Sequence, residues 1–238
     1  MVLKRFEFWI VGDSPLICHA WSEKHKREML QKQVKAVRGS GREARDPEGD
    51  FVSSLYSMTD VTEITEVRRD DKGFGFPATG VKKALLSAAH KDKGIAKSVT
   101  QSSLWLNCEW TRVKTAWEAA ICTLPLVRIW GAEPVMREDM VRIGQGLKKT
   151  ASLAYRAQFF PWAMRLNGRF NETELSGDAL AFLIEASGLG VGLGEWRNER
   201  SGMFGSYHFA TEIEERLWTA YADGKGPLPE AGLAEAAE

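Results

Sequence analysis

GDALAFLIEASGLGVGLGEWRNERSGMFGSYHF, residues 177–209, holds a helix, a glycine-rich turn system and a strand in one continuous reading. Its first twelve residues have the apolar spacing of a short amphipathic helix that ends at Gly188. Glycines then occupy six of the eighteen positions from Gly188 to Gly205, and Met203 to Phe209 reads as a final strand. Such density calls for a backbone cause: positive φ, or main chain lying against a ligand or another chain. It is not a nucleotide fingerprint, because the glycines follow a helix and precede a strand, and no GxxxxGK occurs. Gly190, Gly192, Gly194, Gly202 and Gly205 are the candidate backbone-approach positions, with Arg197 and Arg200 between them.

Upstream, Leu3 to Val11 is dense in aromatic and β-branched residues and reads as a strand, broken by Gly12-Asp13-Ser14-Pro15. SEKHKREMLQKQVKAV, from Ser22, reads as a basic helix with a serine cap. His19, Trp21, Lys24, Lys26 and Arg27 form a candidate surface for phosphates and unpaired bases. GFGFPATGVKKALLSAAH, residues 73–90, is a turn leading into a helix, with Lys82 and Lys83 near the end whose amides favour an anion. SSLWLNCEW, LPLVRIW, LAYRAQFF and WAMRLNGRF read as strands, the last two meeting at a bend marked by Pro161. Arg142, Lys148, Lys149 and Arg156 belong to a mostly positive stretch able to track a backbone.

The 238 residues carry 32 Lys and Arg against 32 Asp and Glu, so any polyanion site is a local patch. Residues 1–45 hold ten bases against five acids and 137–169 seven against two, while 209–238 hold seven acids against two bases. No run approaches the ~18–20 apolar residues of a membrane-spanning helix, and no secretory signal opens the chain, which predicts a cytoplasmic protein without membrane contact. Cys18, Cys108 and Cys122 form no CxxC pair and predict buried reduced thiols. No metal site and no cofactor is expected.

The order strand, turn, helix, then GFPATGVKKALLSAA, then a helix feeding a glycine loop and GMFGSYHF resembles the RAMP superfamily, especially Cas7-like backbone proteins of CRISPR complexes. The landmarks are Ser14-Pro15-Leu16, Pro77 to Ala89 and Gly188 to Phe209. SPLxxHxWSEK, GFPA and GxGEWRxxxxGxFG also look similar to a phage- and prophage-encoded group, a resemblance that supplies a setting and no activity. The resemblance implies an α+β fold with a ferredoxin-like β-α-β-β-α-β core over residues 1–210. An insertion at 38–72, a candidate thumb, and an acidic segment at 211–238 with a disordered tail complete the expected organisation.

It further implies a non-catalytic, sequence-tolerant binder of single-stranded RNA or DNA that oligomerises along the strand or serves in a ribonucleoprotein. The catalytic aspartate loop of RNA-cleaving backbone proteins is not evident. Two alternatives stand beside this: a metal-independent endoribonuclease using His19 as general base, and a protein-binding scaffold or inhibitor. The main reading requires Lys24, Lys82, Arg197 and Arg200 to share one continuous groove.

Overall fold

A computed structural model describes residues 1–20, 26, 29–30, 46–59, 73–91, 95–114, 121–143 and 150–230. In chain order the strands are β1 (Leu3–Gly12), β2 (Leu16–Cys18), β3 (Gly75–Pro77), β4 (Leu104–Leu106), β5 (Glu109–Lys114) and β6 (Ile121–Arg128). There follow β7 (Trp130–Gly131), β8 (Val135–Ile143), β9 (Thr150–Phe159), β10 (Trp162–Asn171) and β11 (Tyr207–Phe209). The helices are α1 (Pro47–Ser53), α2 (Ala78–Lys91), α3 (Lys97–Ser103), α4 (Gly177–Gly190) and α5 (Glu212–Ala222).

The central sheet runs β11-β1-β10-β4, every neighbouring pair antiparallel, with β7 also paired to β10. Taken along the chain, the four strands of that path lie in the spatial order fourth, first, third, second. Helix α2 precedes the second of them and α4 joins the third to the fourth. This is the ferredoxin-like β-α-β-β-α-β arrangement, and the fold is α+β. Residues 107–161 form a long insertion between the second and third strands. They carry most of two smaller sheets, β2-β9-β8 and β3-β6-β5.

Strand alternation sorts the central sheet into two faces. Phe8 and Ile10 of β1, with Met164, Leu166 and Phe170 of β10, point into one core with Leu85 and Ala88 of α2 and Leu183 and Ile184 of α4. Trp9 and Ala163 point the other way, where α5 covers them with Trp218. The α5 start is fixed by a capping box: Thr211 accepts from the Glu214 amide, and Glu214 accepts from the Thr211 amide at 2.9 Å. The segment expected as an acidic tail thus begins with a helix that buries a tryptophan. Residues 231–238, the end of that expected tail, lie outside the described residues.

Much of the fold follows the sequence reading, with differences of physical origin. The SSLWLNCEW run divides into the end of α3, β4 and β5. The glycine-loop strand is only Tyr207–Phe209, with Met203 exposed. Of the excursion at 38–72, residues 46–59 are described and dock firmly: Met58 is buried, and Phe51, Leu55 and Tyr56 pack on the core. Ser54, also buried, accepts from the Ala157 amide at 2.8 Å. The expected basic helix from Ser22 lies mostly outside the described residues; Lys26, Met29 and Leu30 are helical. The cysteines are free, with Cys18 buried, Cys108 partly buried and Cys122 exposed.

Candidate nucleic-acid interface

The glycine loop is stitched to the turn after β1. Gly205 donates its amide to the Pro15 carbonyl at 2.9 Å, Glu195 to Ile17 at 3.0 Å, and Asp13 to Ser206 at 3.0 Å. The Ser14 and Ser206 hydroxyls hydrogen-bond at 2.7 Å. Gly194 makes this contact possible: its φ is +76°, and a Cβ there would lie 2.3 Å from the Ile17 carbonyl oxygen. At Gly205 (φ +66°) a Cβ would meet the Leu193 carbonyl at 1.8 Å, and at Gly202 the Trp196 carbonyl at 1.6 Å. Close approach within the chain itself therefore accounts for these glycines. Gly190 sits at the end of α4 with open space around it.

The stitched loop and the start of α2 face each other across a cleft of about 800 Å³. Among its lining residues are His19, Lys83, Lys97, Arg197 and Arg200, with the Gly192 to Glu195 backbone on one wall and Thr79 and Gly80 on the other. Lys83, Lys97 and Arg200 are exposed, and none makes an ion pair with any described residue. Arg197 is committed within the loop, donating to Glu199 at 3.0 Å and to the Gly194 carbonyl at 3.1 Å. His19 Nδ1 lies 3.7 Å from Glu195, an ion-pair rather than hydrogen-bond separation. That imidazole, with help from Arg156 and Arg197, holds the Glu195 carboxyl below its usual range against partial burial. Tyr56 donates to the His19 carbonyl at 3.2 Å, and burial pushes its phenol up to about 12, so it remains a neutral donor.

Of the residues singled out in the sequence, the cleft gathers His19, Lys83, Arg197, Arg200, Gly192 and Gly194. Lys82 does not join them. It donates to the Leu104 carbonyl at 2.7 Å and to Gln101 at 3.1 Å, on a different recess beside Trp105 and Arg169. Neighbouring residues of a helix diverge by ~100°, and the lysine pair is split accordingly. The groove required to join Lys82 with Arg197 and Arg200 is therefore interrupted. Arg156 is buried on β9, 3.5 Å from Asp139, so the expected backbone-tracking role is closed to it. Arg142 is exposed on β8 opposite Ala151. Trp21, Lys24, Arg27, Lys148 and Lys149 lie outside the described residues. Lys97 and the His19–Glu195 pair were missed: no motif marks Lys97, and it is the bond from the Glu195 amide to the Ile17 carbonyl that brings Glu195 beside His19.

Among the described residues no group of His, Cys, Asp and Glu is arranged to hold a metal ion, and no helix is long and apolar enough to cross a membrane. No protein-family model and no curated protein matches the sequence. Among solved structures the chain is similar to Cmr6 from Pyrococcus furiosus, at 8% identity and a TM-score of 0.33, over 88% of this chain and 100% of that one.

Proposed function

We propose that the cleft between α2 and the glycine loop binds the phosphate backbone of a single nucleic-acid strand without regard to sequence and without cleaving it. One observation carries the reading: Lys83, Lys97 and Arg200 converge on one cleft, exposed and with no acid among the described residues bound to any of them. Cations gathered across a concave surface create a local positive potential on a chain whose formal net charge is zero. The start of α2 carries no acidic residue in its first turn, so its free amides add to that potential. Glu195 and Glu199 are each occupied by a neighbouring base, His19 and Arg197. The resemblance to Cas7-like RAMP proteins points the same way, toward copies assembled side by side on one strand within a ribonucleoprotein.

Fluorescence anisotropy with labelled 20-nucleotide RNA and DNA, titrated with salt, tests this. Three phosphate contacts to a single strand give a slope of log K against log salt of about −2. The Lys83→Glu, Arg200→Glu double variant loses most of that slope, and particle sizing with increasing strand length reports copies per strand. Failure of the native chain to bind any single strand at low salt overturns the reading.

The His19–Glu195 pair favours a second reading, in which the neutral imidazole is general base toward a ribose hydroxyl and the carboxylate 3.7 Å away stabilises the imidazolium that it becomes. Cleavage of labelled RNA in EDTA that disappears in His19→Ala supports it. Binding with the RNA intact rejects it.

A further inference from the structure

Arg5 of β1 is directly opposite Arg169 of β10, and Arg169 is directly opposite Trp105 of β4. Directly paired residues of adjacent strands share a face, with Cβ atoms ~4.5–5.5 Å apart, so these three side chains form a row across the sheet. They stand on the face away from α2 and α4, beyond the end covered by α5. All three are exposed, Trp105 by 53%.

Two like charges directly opposite each other destabilise a sheet unless an anion lies between them. No described residue supplies one. The nearest acid on this face, Glu7, is taken by Arg165, and neither Arg5 nor Arg169 makes an ion pair with any described residue. Asn107 and Asn167 border the row on one side, where a recess of about 660 Å³ opens, and Lys82 lines a second recess on the other. The exposed indole has no stacking partner among the described residues. A planar apolar ring beside two guanidinium groups fits a group that is aromatic at one end and doubly acidic along the other.

We infer that this row is a second nucleic-acid contact, in which one unpaired base stacks on Trp105 while Arg5 and Arg169 take the adjoining phosphates. The inference rests on the single-strand reading of the cleft and adds a base contact on a different face of the molecule. Arg169 borders both recesses, so the strand crosses the sheet at the β4 edge.

The test uses the full chain with oligo-U, oligo-dT and polyglutamate. Trp105→Ala weakens binding of the single strands about 10-fold, whereas Trp105→Phe keeps most of it. The Arg5→Gln, Arg169→Gln double variant lowers the salt slope by about 1.4. Irradiation of a 5-iodouridine oligomer cross-links it to Trp105, a readout that a merely structural tryptophan does not give. Dependence on Trp105 with either oligo-U or oligo-dT supports the inference, and the comparison between them says which sugar is preferred. If these variants bind like the native chain while Lys83→Glu, Arg200→Glu abolishes binding, the row is not a contact and the cleft reading survives. If the native chain binds no single strand, both readings fall. Polyglutamate held by Arg5 and Arg169 irrespective of Trp105 overturns the nucleic-acid assignment of the row.

Discussion

His208 Nδ1 lies 2.5 Å from Asp13 Oδ1, and its Nε2 lies 3.1 Å from the Glu214 carboxylate. One imidazole thereby links the turn after β1, strand β11 and the capped start of α5. Asp13 is the larger cause and Glu214 the second attraction, together raising the His208 pKa to about 9 against its partial burial.

A pH window follows. Because the folded value lies above the unfolded 6.5, the stabilisation from His208 is full below pH 6.5 and is lost as pH rises through about 9. Asp13 is 47% exposed, and after that screening the contribution is on the order of 2 kcal/mol. Urea unfolding of native protein and His208→Gln at pH 6 and pH 9.5 measures it. The gap closes at the higher pH; an equal gap at both would refute the assignment.

Trp218 is buried against Trp9, with ring centroids 6.4 Å apart, and Trp9 donates its indole N–H to Thr219 at 3.1 Å. Trp218→Ala costs about 3–5 kcal/mol of stability in denaturant. A loss below 1 kcal/mol shows that α5 is dispensable to the sheet.

The glycines divide by surroundings. Gly194→Ala forces a side chain onto the Ile17 carbonyl at positive φ, destabilising by more than about 1 kcal/mol and moving Glu195 off His19. Gly190→Ala meets open space within helical backbone and stabilises by about 0.4–1 kcal/mol. Thermal melts of the two variants should shift in opposite directions.

Lys82 and Lys83, adjacent in sequence, separate by readout. Burial lowers the Lys82 pKa, and its two carbonyl contacts make Lys82→Met cost about 1 kcal/mol of stability with little change in the salt slope of binding. Lys83→Met leaves stability unchanged and lowers the slope by about 0.7. The reverse assignment of effects would move the phosphate contact to the other recess.

Cys122 is exposed and Cys18 buried, with burial driving the Cys18 thiol well above its ordinary value. In native protein a thiol reagent therefore modifies Cys122 rapidly, while Cys18 reacts only on unfolding. Peptide mapping after a short pulse distinguishes them.

The elements that could be read from sequence are those with strong periodicity: β1, α2, β9, β10 and α4. Strand β8 escaped because most of its side chains are exposed, with Met136 and Met140 outside and no apolar face to mark its period. Strand β2 has three residues, too few for alternation to register, and β4, equally short, is legible only within the longer SSLWLNCEW run. The α5 helix was hidden by acidic composition, although Thr211, Glu214 and Trp218 carried a cap and a core residue in plain view. For the cleft, charge density in the glycine loop pointed to Arg197 and Arg200. It could not say that Arg197 is consumed by Glu199, because that depends on the turn geometry between them.

The position of β1 also governs how the molecule can come into being. Its hydrogen-bonding partners in the central sheet are β10 and β11, which lie at Trp162–Asn171 and Tyr207–Phe209. During synthesis the ribosome therefore releases an aromatic, pairing-competent strand long before either companion exists. Phe6, Phe8 and Ile10 lack their sheet partners through that interval, which lengthens the time in which the strand is open to pairing with another chain.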